Sequence, residues 1–544
     1  MDTARLTRST AILVGLLSGA VALGVGHLVA GLVGLSASPY LAVGNTAIDY
    51  TPTALKDFAV RTFGTYDKVV LLGGMAAVIL VFVAVAGVLS RRRPTPGMVL
   101  IGVLGVIGML AIFKRPDVGQ LGPLAGAAAL GAGVLAFGWL HAKAMTHTTD
   151  TRPERRTHAV ETADTRYPDA GHARGGAEER ADAAARGTGT DRRGFLVVSA
   201  ITAGAAGIAG LGGQFLGRRV DVQASRRAVG EIRPAVAARP IPAGADFVKD
   251  GTPGFITSNA DFYRVDTALV VPRVRAENWS LRVHGMVDRE LELSFDDLRD
   301  RELVEKTITL TCVSNEVGGP YVSTANFVGV RLRDVLREAG VRSGADQLVS
   351  KSVDGWTAGS PTEVVMEDSR DALLAIAMNG EPLPAEHGFP VRIVVPGLYG
   401  YVSATKWLAD IELTTFGAFD AYWKRRGWGE RGPIKTMSRI DRPAGFQKVP
   451  GGRVVIAGVA WAQTTGIDAV EVRVDGGPWT PTTLSTEVNL DSWRMWRTEL
   501  DLTPGGHTVE CRATDRSGYT QTADRAEPIP DGATGWHSAF FTVG

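Results

Sequence analysis

Thr307-Ile308-Thr309-Leu310-Thr311-Cys312-Val313-Ser314-Asn315-Glu316-Val317-Gly318-Gly319 runs from a β-type segment, rich in β-branched residues, into a polar turn that contains glycine. A thiol at such a junction can face a cavity. A soft, high-valent metal prefers thiolate over other side chains, and coordination would hold Cys312 deprotonated. By itself, a single cysteine is more often a small buried apolar residue than a ligand. The second cysteine, Cys511, lies far away in a segment of different character, so a disulfide scaffold is excluded and one bridge is not expected.

Outward from this stretch, residues 245–435 mix strand-like runs, at 281–285 and 391–395, with helical patterns such as 330–339, which reads as an α+β domain. Beyond it, the runs 454–459, 469–474 and 507–513 alternate apolar and polar residues. Turns at Asp475-Gly476-Gly477 and Thr503-Pro504-Gly505-Gly506 separate them, the pattern of a small all-β, Ig-like sandwich over 445–544.

The N-terminal third is different. Residues 11–35, 69–89, 97–113 and 121–140 are apolar and free of Asp, Glu, Lys and Arg, each about long enough to cross roughly 30 Å of hydrocarbon. They predict a helical membrane bundle of four spans within 1–141. Residues 142–194 are rich in Arg, Glu, Asp, Thr, Ala and Gly and read as a disordered charged linker. A fifth span is expected at 195–217.

Arg5 and Arg8, Arg91 to Arg93, and Arg192 and Arg193 fall on one side of this arrangement. That side is read as cytoplasmic, which puts everything after Arg218 outside the cell membrane. Lys56, Arg61, Lys68, Lys114 and Arg115 lie in the opposite loops and make the bias partial. Thr190-Asp191-Arg192-Arg193-Gly194-Phe195-Leu196 resembles a twin-arginine export motif, which carries folded cargo; two arginines flanking a membrane helix are also ordinary anchors.

The chain has 544 residues, 45% of them hydrophobic, enough for two or three domains beyond the membrane part. A net charge of +1 supplies no global basic field, so nucleic acid is not an expected partner.

Cys312 to Asn315 matches the Cys-x-x-Asn context of the molybdenum-binding cysteine in the sulfite oxidase family. Downstream stand Leu373-Leu374-Ala375-Ile376-Ala377-Met378-Asn379-Gly380-Glu381-Pro382-Leu383-Pro384, His387-Gly388-Phe389-Pro390-Val391-Arg392, Val395-Pro396-Gly397 and Lys406-Trp407-Leu408, in the family's order and spacing. In the C-terminal part, Ile456-Ala457-Gly458-Val459-Ala460-Trp461, Val474-Asp475-Gly476-Gly477 and Trp493-Arg494-Met495-Trp496 look like its dimerisation domain. Over residues 245–544 the chain thus resembles that family of molybdopterin-dependent oxidoreductases; the membrane third does not.

The resemblance implies Mo-molybdopterin as cofactor and Cys312 as metal ligand and catalytic centre. Molybdopterin is a flat, hydrogen-bonding tricycle ending in a phosphate, so its pocket needs cationic donors, polar side chains and close backbone. His387 and Arg392 match the family's binding His and Arg, and Arg392 suits a bidentate phosphate contact. Ser403 and Lys406 fall in the loop after Pro-Gly. Asn259, Tyr263 and Arg264 occupy an upstream cofactor loop, and Asp354 matches a further contact. Arg264 is also the expected substrate-side arginine. Singly, each of these has a bland reading as a solvated charge or a packed ring.

The resemblance further implies two-electron oxo transfer on a small sulfur-containing, sulfite-like substrate. Glu316 and Val317 stand where typical sulfite oxidases have arginine, Trp356 where they have tyrosine, and Asp266 where they have histidine, which lowers the pocket's affinity for a dianion. Periplasmic methionine-sulfoxide reductases share the spacing of Asn259 and Tyr263, which makes a sulfoxide reductase the alternative, although that branch lacks the second domain. A scaffold retaining the fold without catalysis is the alternative outside enzymes. No haem attachment motif occurs, and His27 and His141 are too loosely placed to suggest one, so electrons are expected to pass to a cytochrome or quinone-linked partner. The sandwich makes a homodimer conceivable.

Overall fold

The computed structural model describes residues 5–52, 55, 58, 62, 63, 66–149, 178–217 and 221–544. It falls into two compact units, Met1–Arg219 and Val220–Gly544.

Unit one contains α1 (Arg8–Val33), α2 (Pro39–Tyr50), α3 (Asp67–Leu89), α4 (Thr95–Phe113), α5 (Pro123–Thr149) and α6 (Glu178–Gly217). All but α2 are long and apolar enough to cross a membrane. Thr7 caps α1, its hydroxyl accepting from Thr10 N at 3.2 Å, and Gly34 ends it at φ +133°. Glycine lets α1 meet its neighbours backbone to backbone. A Cβ on Gly15 would lie 2.0 Å from Val83 O of α3, and one on Gly31 would lie 2.3 Å from Gly213 O of α6.

Two details differ from the sequence reading. α2 was not expected; Pro39 at its first turn pre-sets the helical φ. The linker expected over 142–194 is helical at both ends, since α5 runs on to Thr149 and α6 begins at Glu178, where the Ala-rich EERADAAAR favours helix. Residues 150–177 lie outside the described residues.

Unit two opens with α7 (Val222–Val229) and builds four sheets. One mixed sheet has the order β2 (Leu291–Ser294), β1 (Ser280–Gly285), β10 (Leu408–Thr414), β5 (Gln347–Ser352), β6 (Thr357–Pro361), with β1 parallel to β10. A second runs β3 (Val304–Thr311), β4 (Val322–Arg331), β7 (Leu373–Met378), β8 (Glu381–Pro382), and β9 (Arg392–Val394) also pairs with β7. Buried Leu281, Ile308, Leu336, Leu374 and Ile411 belong to the core these sheets share.

The helix expected over 330–339 starts later, at Leu332 (α8, Leu332–Ala339). β4 continues through Arg331, because Val330 is claimed by pairing with Leu374. Asn379, at φ 52°, and Gly380, at φ 82°, make the tight turn from β7 to β8.

The C-terminal part has two sheets. One is β11 (Met437–Arg442), β13 (Gly452–Trp461), β17 (Arg494–Leu502), β16 (Thr483–Leu484); the other is β12 (Lys448–Val449), β19 (His537–Val543), β18 (Gly505–Asp515), β14 (Ile467–Val474), β15 (Thr480–Pro481). Ile456 and Trp496 of the first and Val472, Val509 and Phe541 of the second fill one core.

This part and the α+β part are fused by a further apolar cluster that includes Phe255, Val317 and Val322 on one side and Met437, Val459, Trp461 and Met495 on the other. Strand β3 is where they are stitched together. Its free edge is completed by Thr309 N donating to Asp491 O (2.9 Å), by Gln463 Nε2 donating to Thr309 O (3.2 Å) and by Asn489 Nδ2 donating to Thr307 O (3.0 Å). Such pairing leaves no exposed sheet edge at this point.

Candidate functional site

Cys312 follows the last residue of β3, at the mouth of the long β3–β4 connection. Its N–H donates to Tyr321 O at 3.0 Å, Asn315 N donates to Cys312 O at 3.1 Å, and Tyr321 N donates to Asn315 Oδ1 at 2.8 Å. Asn315 therefore closes the loop that presents the thiol, which gives the Cys-x-x-Asn spacing a structural reason. The cysteine is 9% exposed, with Sγ 2.9 Å from Ser314 Oγ. Burial pushes its pKa up, against the hydrogen bonds from Ser314, so a thiolate here needs a neighbouring cation or metal.

Tyr263 stands beside it. Its N–H donates to Ser323 Oγ of β4 at 3.2 Å, and its ring lies 6.3 Å from Tyr321 and 5.5 Å, stacked, from Phe262. Burial raises the phenol's pKa, with the Cys312 charge adding to the effect and Arg392 opposing it, which puts these three groups in one electrostatic neighbourhood.

Phe262 in turn meets His387 edge to face at 5.5 Å. His387 Nε2 lies 3.0 Å from Asn259 O, and Arg392 Nη1 donates to His387 O at 3.1 Å. His387 is pushed down to about 4, by burial first and then by Arg392, so the imidazole is neutral at physiological pH. Arg392 is 5% exposed and pushed down to about 10 by burial. Its Nε is buried and has no hydrogen-bond partner among the described residues. A buried guanidinium with an unused donor costs free energy unless an anion or acceptor meets it.

Asn259 is tied in by three side-chain contacts: Nδ2 donates to Glu381 Oε1 (2.6 Å) and Met378 O (3.3 Å), and Oδ1 accepts from Asn379 Nδ2 (2.9 Å). Lys406 forms a second group. Its Nζ donates to Asp266 Oδ2 at 2.8 Å and to Glu386 O at 3.2 Å, and Arg264 Nε reaches the same Asp266 oxygen at 2.9 Å. Lys406 is pushed down to about 8 by burial, partly offset by Asp266. A Cβ on Gly388 would lie 3.1 Å from Lys406 Cα, so the segment after His387 presses directly on the Lys406 backbone.

The remaining expected residues sit at the margins. Ser403, in α9 (Gly400–Ser403), spends its hydroxyl on Leu398 O (3.1 Å) and Tyr399 O (2.9 Å). Asp354 Oδ1 accepts from Trp356 N at 3.2 Å in a turn whose Val353 N donates to Trp407 O at 2.9 Å. Arg264 is half-exposed, its side chain 43% accessible.

The departures acquire physical meaning. Val317 is buried in the apolar cluster between the two parts of the unit, so an arginine there would lose its solvation; Glu316 is exposed. Asp266, 5% exposed, is the counter-ion of Lys406 and Arg264.

Several contributors escaped sequence reasoning. Asn379 and Glu381 hold Asn259, and the Asn-Gly dipeptide at 379–380 was the available signal. His537 and Arg439 come from the C-terminal sheets. Arg439 Nη1 donates to Gly319 O at 3.0 Å, and a Cβ on Gly318, at φ +81°, would fall 2.2 Å from His537 Cδ2. Nothing local in the sequence marks these two.

Residues 268–423 match the family described as an oxidoreductase molybdopterin binding domain. The chain is 30% identical over 328 residues to mitochondrial sulfite oxidase of Homo sapiens, covering 51% of this chain and 59% of that protein. It is 37% identical over 154 residues to the uncharacterized oxidoreductase YuiH of Bacillus subtilis (strain 168), covering 28% of this chain and 74% of that one. Among solved structures, the sulfane dehydrogenase SoxCD from Paracoccus pantotrophus aligns with a TM-score of 0.48 and 21% identity, covering 57% of this chain and 88% of that chain. The chain thus spans somewhat under two thirds of the human enzyme it matches, and by its molybdopterin domain and its two sequence relatives it belongs to the sulfite oxidase family of molybdopterin-dependent oxidoreductases.

Proposed function

We propose that this protein is a membrane-tethered oxidoreductase that binds Mo-molybdopterin and acts on a small, sulfite-like sulfur compound. The observation that carries this reading is the cluster of buried Cys312, His387 and Arg392 with half-buried Tyr263, the Arg392 Nε having no hydrogen-bond partner among the described residues. In this reading Cys312 holds the metal. Arg392, His387, Asn259 and Tyr263 hold the organic part of the cofactor, with Lys406, Ser403 and Asp354 at its margin. When bound, the molybdenum cofactor supplies two-electron oxo transfer.

The protein's own contribution is placement and charge. Neutral His387 can donate or accept a hydrogen bond without a charge penalty, and buried Arg392 offers a fixed cationic donor. Arg264, half-exposed and sharing Asp266 with Lys406, is the cation proposed to face an anionic substrate. The C-terminal sheets, read as an Ig-like domain, bear on the Cys312 loop itself; this favours the sulfite oxidase branch over the sulfoxide reductases, which have no such domain.

The five apolar helices support a multi-pass anchor, and the arginines at 91–93 and 192–193 support a cytoplasmic N-terminus with the catalytic unit exported on the opposite side. A cytochrome or quinone-linked protein is the proposed electron partner, and a homodimer through the C-terminal sheets is the proposed assembly. The test is metal and pterin analysis of purified protein from cells able to make the cofactor, followed by turnover of sulfite with an artificial acceptor and of methionine sulfoxide with an artificial donor. Protein without molybdenum and pterin would overturn the reading; turnover of the sulfoxide alone would move it to the alternative branch.

A further inference from the structure

The helix α7 uses one face to dock on the catalytic unit. Val222, Ser225, Arg226 and Val229 recur at helical spacing; Val222 joins the core and Val229 packs against it. Ser225 Oγ donates to Glu277 Oε2 at 2.7 Å and accepts from Ala276 N at 3.0 Å. Arg226 reaches further. Its Nη2 donates to Pro382 O at 2.7 Å and lies 3.3 Å from Glu381 Oε2.

The other carboxylate oxygen, Glu381 Oε1, accepts from Asn259 Nδ2 at 2.6 Å. Asn259 O meets His387 Nε2 at 3.0 Å, and His387 O accepts from Arg392 Nη1 at 3.1 Å. A continuous polar chain therefore runs Arg226, Glu381, Asn259, His387, Arg392, from the helix surface to the buried guanidinium with the unused Nε.

We propose that α7 and the β7–β8 turn form a strut for the cofactor pocket, in which Arg226 and Glu381 are positioning residues that hold Asn259 and, through it, His387 and Arg392. The inference rests on the cofactor reading above. Each acts on the orientation of the groups proposed to meet the cofactor, as outer-shell partners orient ligands at metal sites.

The test uses the full-length, cofactor-loaded protein with Arg226→Ala, Glu381→Gln and the conservative Arg226→Lys. Release of pterin and molybdenum during prolonged dialysis is followed beside thermal unfolding of the cofactor-free protein. Arg226→Ala and Glu381→Gln should release the cofactor roughly ten-fold faster than wild type, the lower end of what outer-shell changes do at metal sites. Arg226→Lys should recover most of the retention, because an ammonium can still reach Pro382 O.

Ser225→Ala removes a docking bond of the same helix outside the chain, and it should lower the unfolding temperature while leaving release at the wild-type rate. Wild-type release rates in both Arg226→Ala and Glu381→Gln, or Ser225→Ala releasing as fast as they do, would overturn the strut while leaving the cofactor reading intact. Wild-type protein that carries no cofactor would overturn both.

Discussion

At the residue scale, the site is a set of groups whose burial is tolerable only with partners. Cys312 illustrates this: its thiol is buried and its pKa raised, and removing it should remove the proposed metal ligand without removing packing. Cys312→Ser is expected to unfold within about 1 kcal/mol of wild type, as a near-isosteric change, yet to show no turnover. Turnover of the loaded protein beside denaturant titration checks both halves. His387 gives a pH dependence. Its pKa is pushed from about 6.5 down to about 4, so between these values the unfolded chain binds more protons than the folded one. The stability contribution is complete above pH 6.5 and is lost as the pH falls toward 4, by up to roughly 3 kcal/mol. His537, also pushed down to about 4, acts in the same direction. In cofactor-free protein, His387→Gln should therefore flatten the acid limb of stability against pH, measured by urea unfolding from pH 7 to pH 4.

At the scale of elements, strand β3 and its following loop connect the thiol to the rest of the molecule. The loop is clamped on one side by Asn315 and on the other by His537 of β19, against Gly318. Gly318→Ala would set a Cβ 2.2 Å from the imidazole at a backbone φ of +81°. The expected cost is on the order of 2 kcal/mol or more, from strain and steric displacement together. Thermal unfolding would register it, and an unchanged transition would contradict the packing described. The free edge of β3 makes a harsher prediction. A chain ending at residue 436 loses Gln463, Asn489 and Asp491, exposes the main chain at Thr307 and Thr309, and uncovers Phe255, Val317 and Val322. It should aggregate, as assessed by light scattering of the expressed fragment.

At the scale of the whole molecule, an apolar helical unit and a unit with its own cores lie on one chain. Residues 221–544 should therefore remain soluble without detergent and bind cofactor, whereas the full chain should partition with membranes and need detergent for extraction. Fractionation of the two forms measures this directly. Within the second unit, the apolar cluster between the α+β part and the C-terminal sheets makes them a single compact body, where sequence patterning suggested two adjoining domains at 245–435 and 445–544.

The sequence alone determined what depends on local pattern. Apolar runs marked the helices α1, α3 and α4 to within a few residues, two-residue alternation marked β13, β14 and β18, and the motifs around Cys312, His387, Arg392 and Lys406 pointed to the family. These are readable because helix period, strand period and motif spacing are properties of neighbours in the chain. The tertiary structure alone decided which of those residues lie together, that Val330 belongs to a strand, that Val317 faces an apolar interface, and that Asp266 holds Lys406 and Arg264. It alone brought Arg439 and His537 to the loop of Cys312 and joined Arg226 to Asn259 through Glu381. Such contacts join residues remote in sequence, where pairing follows from the register of sheets and the closing of edges, and no local period records it.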